Sequence, residues 1–198
     1  DTAQSKPGDA LEYTAAAGAA AFVIGPATAK NALCRIDHTL SFTTDTPDFW
    51  RANGESYPSH AGRFTGEPAY FAHIREAIKG MLEVGKIKAK DIDHVVLHMP
   101  NAKFPGKIAK EFGFSKQQLE HGFIVGSIGN TYAACSPLGL AHVLQKAKKE
   151  ETILVVSYGS GAGSDAFLMT MLRDGVELPH DNREPEFVNY HQYLQLTA

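Results

Sequence analysis

Three short apolar runs, Val95–Leu97, Ile153–Ser157 and Ala166–Leu172, set the tightest limit on what this chain can fold into. Each is too short for a helix and too apolar for an exposed loop, so each reads as a strand buried in a sheet. Between and before them the apolar residues recur at helical spacing. Tyr70, Phe71, Ile74, Ile78, Met81 and Leu82 follow Pro68, which a first helical turn tolerates, and end at Gly85. A second helix fits Lys103–Phe112 and a third runs from about Asn130 to Lys148. Leu33–Thr43 is a further strand candidate. Tyr13–Gly25 passes from packed Ala and Gly into Phe22-Val23-Ile24 and reads as a buried strand preceded by a close backbone approach. Thr44–Phe64 is a long loop whose Phe49, Trp50, Tyr57 and Phe64 favour order. Strands alternating with helices make the class α/β, with ligand sites expected at the carboxyl ends of strands.

Composition excludes more than it identifies. The 198 residues show no internal repeat, low-complexity tract or composition break, which predicts a single domain over 1–198. A net charge of -3 gives no basic field for nucleic acid or an anionic membrane, and neither is expected as a partner. No apolar run approaches the ~18 residues that span a bilayer. Cys34 and Cys135 form neither a Cys-x-x-Cys pair nor a disulfide framework, which points to a reducing, cytoplasmic setting. Histidine and cysteine spacings typical of metal sites are missing, so no metal is expected. Asp1–Asp9 lacks the basic-then-apolar pattern of a signal peptide and reads as mid-protein loop.

The residues that could carry chemistry gather at predicted element ends. His98, in VVLHMPNAKFP, stands at a strand tip, where an imidazole can pass protons or donate to a thioester carbonyl; a satisfied core histidine is the bland alternative. Lys103 and Lys107 lie four apart on the following helix, on one face near a helix N-terminus suited to anions, or are simply solvated. Asn130, in SIGNTYAACSPLGLA, either caps its helix or presents a fixed N–H donor to an oxyanion. In SYGSGAGSDAF the glycines allow close backbone approach to a ligand, or make a plain hairpin. The spacing around Ser160 and Ser164 is not that of a nucleophile elbow, nor is the segment a dinucleotide fingerprint. Cys34 and Cys135 read as buried, inert thiols rather than nucleophiles.

Five segments, in order, resemble the hydroxymethylglutaryl-CoA synthase family and its archaeal branch in particular: GAAAFVIGPATA, TPDFWRANGESYPSHAGRFTGEPAYF, HMPNAKFP, IGNTYAACSPLGLA and SYGSGAGSDAF. The resemblance runs almost end to end and implies a thiolase-like fold, of which this chain is the C-terminal half. It places 1–30 with the last strand of the N-terminal half, 31–175 in the C-terminal half and 176–198 in a tail. It implies condensation of acetyl-CoA with acetoacetyl-CoA in the mevalonate pathway, with no cofactor beyond the CoA thioesters. By the same resemblance His98 polarises acetoacetyl-CoA and Asn130 hydrogen-bonds the thioester or oxyanion. Ser160 and Gly161 contact the acyl group, and Arg63, Thr65, Lys103 and Lys107 contact CoA or acyl groups. Met99 and Cys135 depart from the family's usual residues.

The nucleophilic Cys and acid/base Glu of that family belong to the N-terminal half. A second polypeptide carrying them is therefore the expected partner, and the chain alone is expected to be inactive. The archaeal resemblance also implies an assembly with acetoacetyl-CoA thiolase and a zinc-ribbon/OB-fold protein. Competing readings are a ketoacyl synthase III-like acyltransferase, which SYGSGAG and RFTGEPAYF argue against, and a non-catalytic scaffold subunit.

Overall fold

The structure is a computed structural model that describes residues 5–159, 163–177, 184 and 186–196. Its strands are β1 (Cys34–Thr43), β2 (Phe49–Trp50), β3 (Ser59–His60), β4 (His94–Leu97), β5 (Thr152–Val156) and β6 (Gly163–Met171). Its helices are α1 (Phe71–Val84), α2 (Lys103–Phe112), α3 (Lys116–Leu119), α4 (Val125–Ile128), α5 (Cys135–Lys146) and α6 (Tyr190–Leu196). The main sheet has the order β1-β6-β5-β4. Strands β4 and β5 are parallel, while β6 runs antiparallel to both β5 and β1. The parallel pair needs a long crossover, and α2 to α5 provide it.

Both faces of the sheet are covered at β4 and β5, which explains why β4 reads as an unbroken apolar run, whereas no residue of β1 is buried. Side chains alternate across a strand, so Val95, Leu97, Leu154 and Leu168 join Ile74, Ile78 and Met81 of α1 in one core. Val96, Ile153, Val155 and Met169 point the other way, onto Val143 and Leu144 of α5. Helix α5 comes close because residue 139 is glycine. A Cβ there would stand 2.7 Å from Val96 Cγ1 and 3.0 Å from the Gly122 carbonyl oxygen.

Three sequence expectations need correction. Tyr13–Gly25 is not a buried strand: it makes one bridge, Ala15 to Asn130, and leaves Val23 and Ile24 exposed. A strand needs a neighbour along its edge, and among the described residues the segment forms no bridge beyond that one. The third helix does not begin at Asn130, because Tyr132 takes φ +50° and turns the backbone through a short 3-10 segment, Tyr132–Ala134, before α5 starts at Cys135. By contrast the helix start at Pro68 holds: Glu67 before it is extended (φ -123°, ψ 128°), and the helical turn through Tyr70 runs on into α1. The long loop holds a small hairpin, Phe49–Trp50 paired with Ser59–His60. Among the described residues no helix is long and apolar enough to cross a membrane.

Candidate functional site

The site is built where β4 and β5, running side by side, reach their carboxyl ends. Leu97 pairs with Val156, and the next residue, His98, still donates its N–H to the Val156 carbonyl at 2.9 Å. Its own carbonyl accepts from the Tyr70 hydroxyl at 2.7 Å. The imidazole is only 8% exposed and lies among rings, 6.3 Å from Tyr70 and 6.1 Å from Tyr158 between centroids. Burial alone holds its pKa down to about 4, so the ring is neutral at pH 7 and carries one donor and one acceptor nitrogen.

Tyr158 ties this tip to the long loop. Its hydroxyl donates to Asp48 Oδ2 at 2.9 Å, and Asp48 is completely buried. The Asp48 carbonyl in turn accepts from the Thr65 hydroxyl at 3.2 Å. The next residue, Phe49, packs its ring 6.1 Å from that of Tyr132. Tyr132 donates its N–H to Asn130 Oδ1 at 2.9 Å, which leaves the carboxamide NH2 as the group Asn130 can offer a ligand. Asn130 does not cap α5, since its side-chain oxygen serves the Tyr132 amide in the turn before that helix. Its backbone pairs with Thr14 and Ala16. His98 and Asn130 are thus joined through the adjacent residues Asp48 and Phe49 rather than by a hydrogen bond of their own. Beside them the Thr131 and Ser136 hydroxyls are buried without a hydrogen-bond partner among the described residues.

The basic residues divide. Arg63 is exposed in the turn Gly62–Thr65. Lys103 is exposed at the start of α2, where Asn101 Oδ1 already accepts from the amides of Lys103 and Phe104 at 2.9 and 3.1 Å. That N-terminus is therefore partly occupied as an anion site. Lys107 lies 4.1 Å over the Phe71 ring and 3.8 Å from Glu67, which also pairs with Arg75. Its charge is balanced before any ligand arrives. Ser160 and Gly161 lie outside the described residues; Gly159 and Gly163, on either side of them, form a bridge. Cys135 is not inside its helix but begins it; burial still pushes the thiol up to about 11, so it remains protonated. Among the described residues no group of three His, Cys, Asp or Glu could hold a metal.

Sequence reasoning missed Asp48, Tyr70 and Tyr158. Applied to the parallel neighbour β5, the strand-end rule that found His98 gives Ser157, and Tyr158 lies one residue beyond it. Asp48 gave no such sign, because its burial depends on a phenol 110 positions away.

Comparison with known proteins bears on the family and the fold. The family model described as the C-terminal part of 3-oxoacyl-[acyl-carrier-protein] synthase III matches residues 82–171. A hydroxymethylglutaryl-CoA synthase of Archaeoglobus fulgidus is 50% identical over 98% of this chain and 57% of its own length. Its counterpart in Methanocaldococcus jannaschii is 54% identical over 86% of this chain and 49% of its own. The chain spans about half the length of the curated relatives it matches. Among solved structures, an HMG-CoA synthase complexed with CoA superposes with a TM-score of 0.70 at 23% identity, over 87% of this chain and 47% of that one. A 3-oxoacyl synthase III from Aquifex aeolicus superposes at 0.62 and 21% identity, over 71% and 46%. The fold is thus thiolase-like, and the chain supplies about half of it.

Proposed function

Since the chain belongs to the hydroxymethylglutaryl-CoA synthase family over the half that it spans, we propose that it is the part of such an acyltransferase carrying the histidine and asparagine. With a complementary half that brings the nucleophilic Cys and the acid/base Glu, it condenses acetyl-CoA with acetoacetyl-CoA to HMG-CoA, a step of the mevalonate pathway. A polypeptide carrying that half is its first partner, and acetoacetyl-CoA thiolase and a zinc-ribbon/OB-fold protein complete the assembly. The setting is cytoplasmic.

The observation that carries this reading is the neutral, buried imidazole of His98 at a strand tip. A neutral ring can donate one N–H to the carbonyl oxygen of acetoacetyl-CoA, and in a site shielded from water that bond strengthens as charge develops on the oxygen. The Asn130 NH2, with its carboxamide oxygen already engaged, is a second donor for the thioester or oxyanion. Lys103 and Arg63 are the exposed cations suited to phosphates of CoA, and Lys107 contributes less because Glu67 holds it. The need for a second half is supported by Tyr13, Val23 and Ile24, which are 94%, 102% and 78% exposed, and by the orphan hydroxyls of Thr131 and Ser136.

The family match over residues 82–171 favours one other reading, a ketoacyl synthase III-like condensation on an acyl carrier protein. The test mixes the chain with its complement and follows CoA release from acetyl-CoA with acetoacetyl-CoA or with an acylated carrier protein. Turnover with acetoacetyl-CoA, lost in His98→Ala, is expected. Turnover with the carrier protein alone would favour the second reading, and none with either would leave a scaffold.

A further inference from the structure

We propose that Cys135 is a positioning residue for His98, acting through the main chain of Met99. Strand β4 is the outer strand of the sheet, and successive amides of a strand face opposite sides: the His98 N–H goes inward to the Val156 carbonyl, so the Met99 N–H faces outward, away from β5. The Met99 amide thus has no strand to bond. Cys135 takes its place, with Sγ accepting from the Met99 N–H at 3.3 Å and the thiol lying 3.8 Å from the Met99 carbonyl oxygen. One side chain from the first turn of α5 therefore holds both peptide groups of the residue that follows the histidine.

The surroundings make this grip consequential. Cys135 is 0% and Met99 1% exposed, and they share a small apolar cluster with Ile124 and Val125. On the other side the His98 carbonyl is held by Tyr70. Both of these holds act on the one peptide group between His98 and Met99, and on the other side of the His98 Cα the His98 N–H is held by the Val156 carbonyl, so the imidazole has little freedom beyond its own torsions. Release of the Met99 amide leaves a buried N–H unpaired, so the strand tip shifts toward water and carries the ring with it. Cys135 touches no substrate in this scheme. Its protonated, buried thiol suits a hydrogen-bonding role rather than a nucleophilic one.

The inference rests on the proposed role of His98, but one of its tests does not need catalysis. The experiment compares the chain with Cys135→Ala, Cys135→Val and Cys135→Ser, using thermal melting as the check on folding. NMR of ring-labelled histidine follows the His98 titration in the chain itself. Ala and Val, which cannot hydrogen-bond, are expected to raise the His98 midpoint by about one pH unit as water reaches the ring, while Ser restores it. In the reconstituted assay Ala and Val are expected to lower kcat about tenfold with little change in KM, and Ser to recover most of the loss. An unchanged midpoint in folded Ala or Val variants overturns the proposal, as does equal harm from Ser. If the wild-type mixture makes no HMG-CoA, the proposed function fails, whereas the NMR comparison still decides the positioning role.

Discussion

The low pKa of His98 makes the stability of the chain depend on pH with a calculable sign. In the unfolded chain the imidazole binds a proton near its ordinary value of 6.5, whereas in the folded chain burial delays protonation to about 4. A depressed histidine value means that folding is favoured in full above pH 6.5 and progressively less as the pH falls through the window down to about 4. At about 1.4 kcal/mol per pH unit the window is worth ~3 kcal/mol, of which about 2 kcal/mol has gone by pH 5. The assay is urea unfolding between pH 7.5 and 4.5 for the chain and for His98→Gln, which keeps a polar side chain but cannot titrate. The wild type is expected to lose about 2.5 kcal/mol more than the variant over that span. Parallel pH profiles for the two proteins would show that His98 is not held neutral by burial, and the chemistry assigned to it would go with that finding.

Other outcomes follow from the same contacts. Tyr70→Phe removes the hydroxyl from the buried His98 carbonyl and is expected to cost about 1–3 kcal/mol in chemical denaturation. Gly139→Ala drives a methyl into Val96 and the Gly122 carbonyl and should cost a similar ~1–3 kcal/mol, visible as a lower unfolding midpoint at constant slope. In the reconstituted assay Lys103→Ala should raise KM for the CoA thioester more than Lys107→Ala, with the gap narrowing at high salt, because Lys107 is already paired with Glu67. Amides of residues 21–24 should exchange within seconds in the chain alone and become protected when the complement is added, as measured by hydrogen exchange.

Much of this architecture was legible before any coordinates, and the parts that were not share a physical cause. Buried strands such as Val95–Leu97 announce themselves because both faces are covered, so every residue must be apolar. His98 was legible as the first polar residue after such a run. Tyr13–Gly25 has the same apolar signature, yet it stays exposed, since composition records that a segment is to be buried and not against what. The break between Asn130 and α5 was invisible because it turns on a left-handed Tyr132, which neither spacing nor helix propensity marks. The Asp48–Tyr158 bond and the Cys135–Met99 contact depend on residues brought together only by the fold. Met99 and Cys135 had each stood out as departures from the family's usual residues, and in the structure they touch.

The central claim is that His98 on this chain drives condensation onto an acetyl group carried by another. Its most direct test loads the complementary half with isotope-labelled acetyl-CoA, removes the excess, and then adds acetoacetyl-CoA with or without this chain while mass spectrometry follows the label. The label should stay on the complement's cysteine without the chain, or with its His98→Ala form, and should pass into HMG-CoA when the wild-type chain is present. Equal transfer of label in all three mixtures would contradict the account.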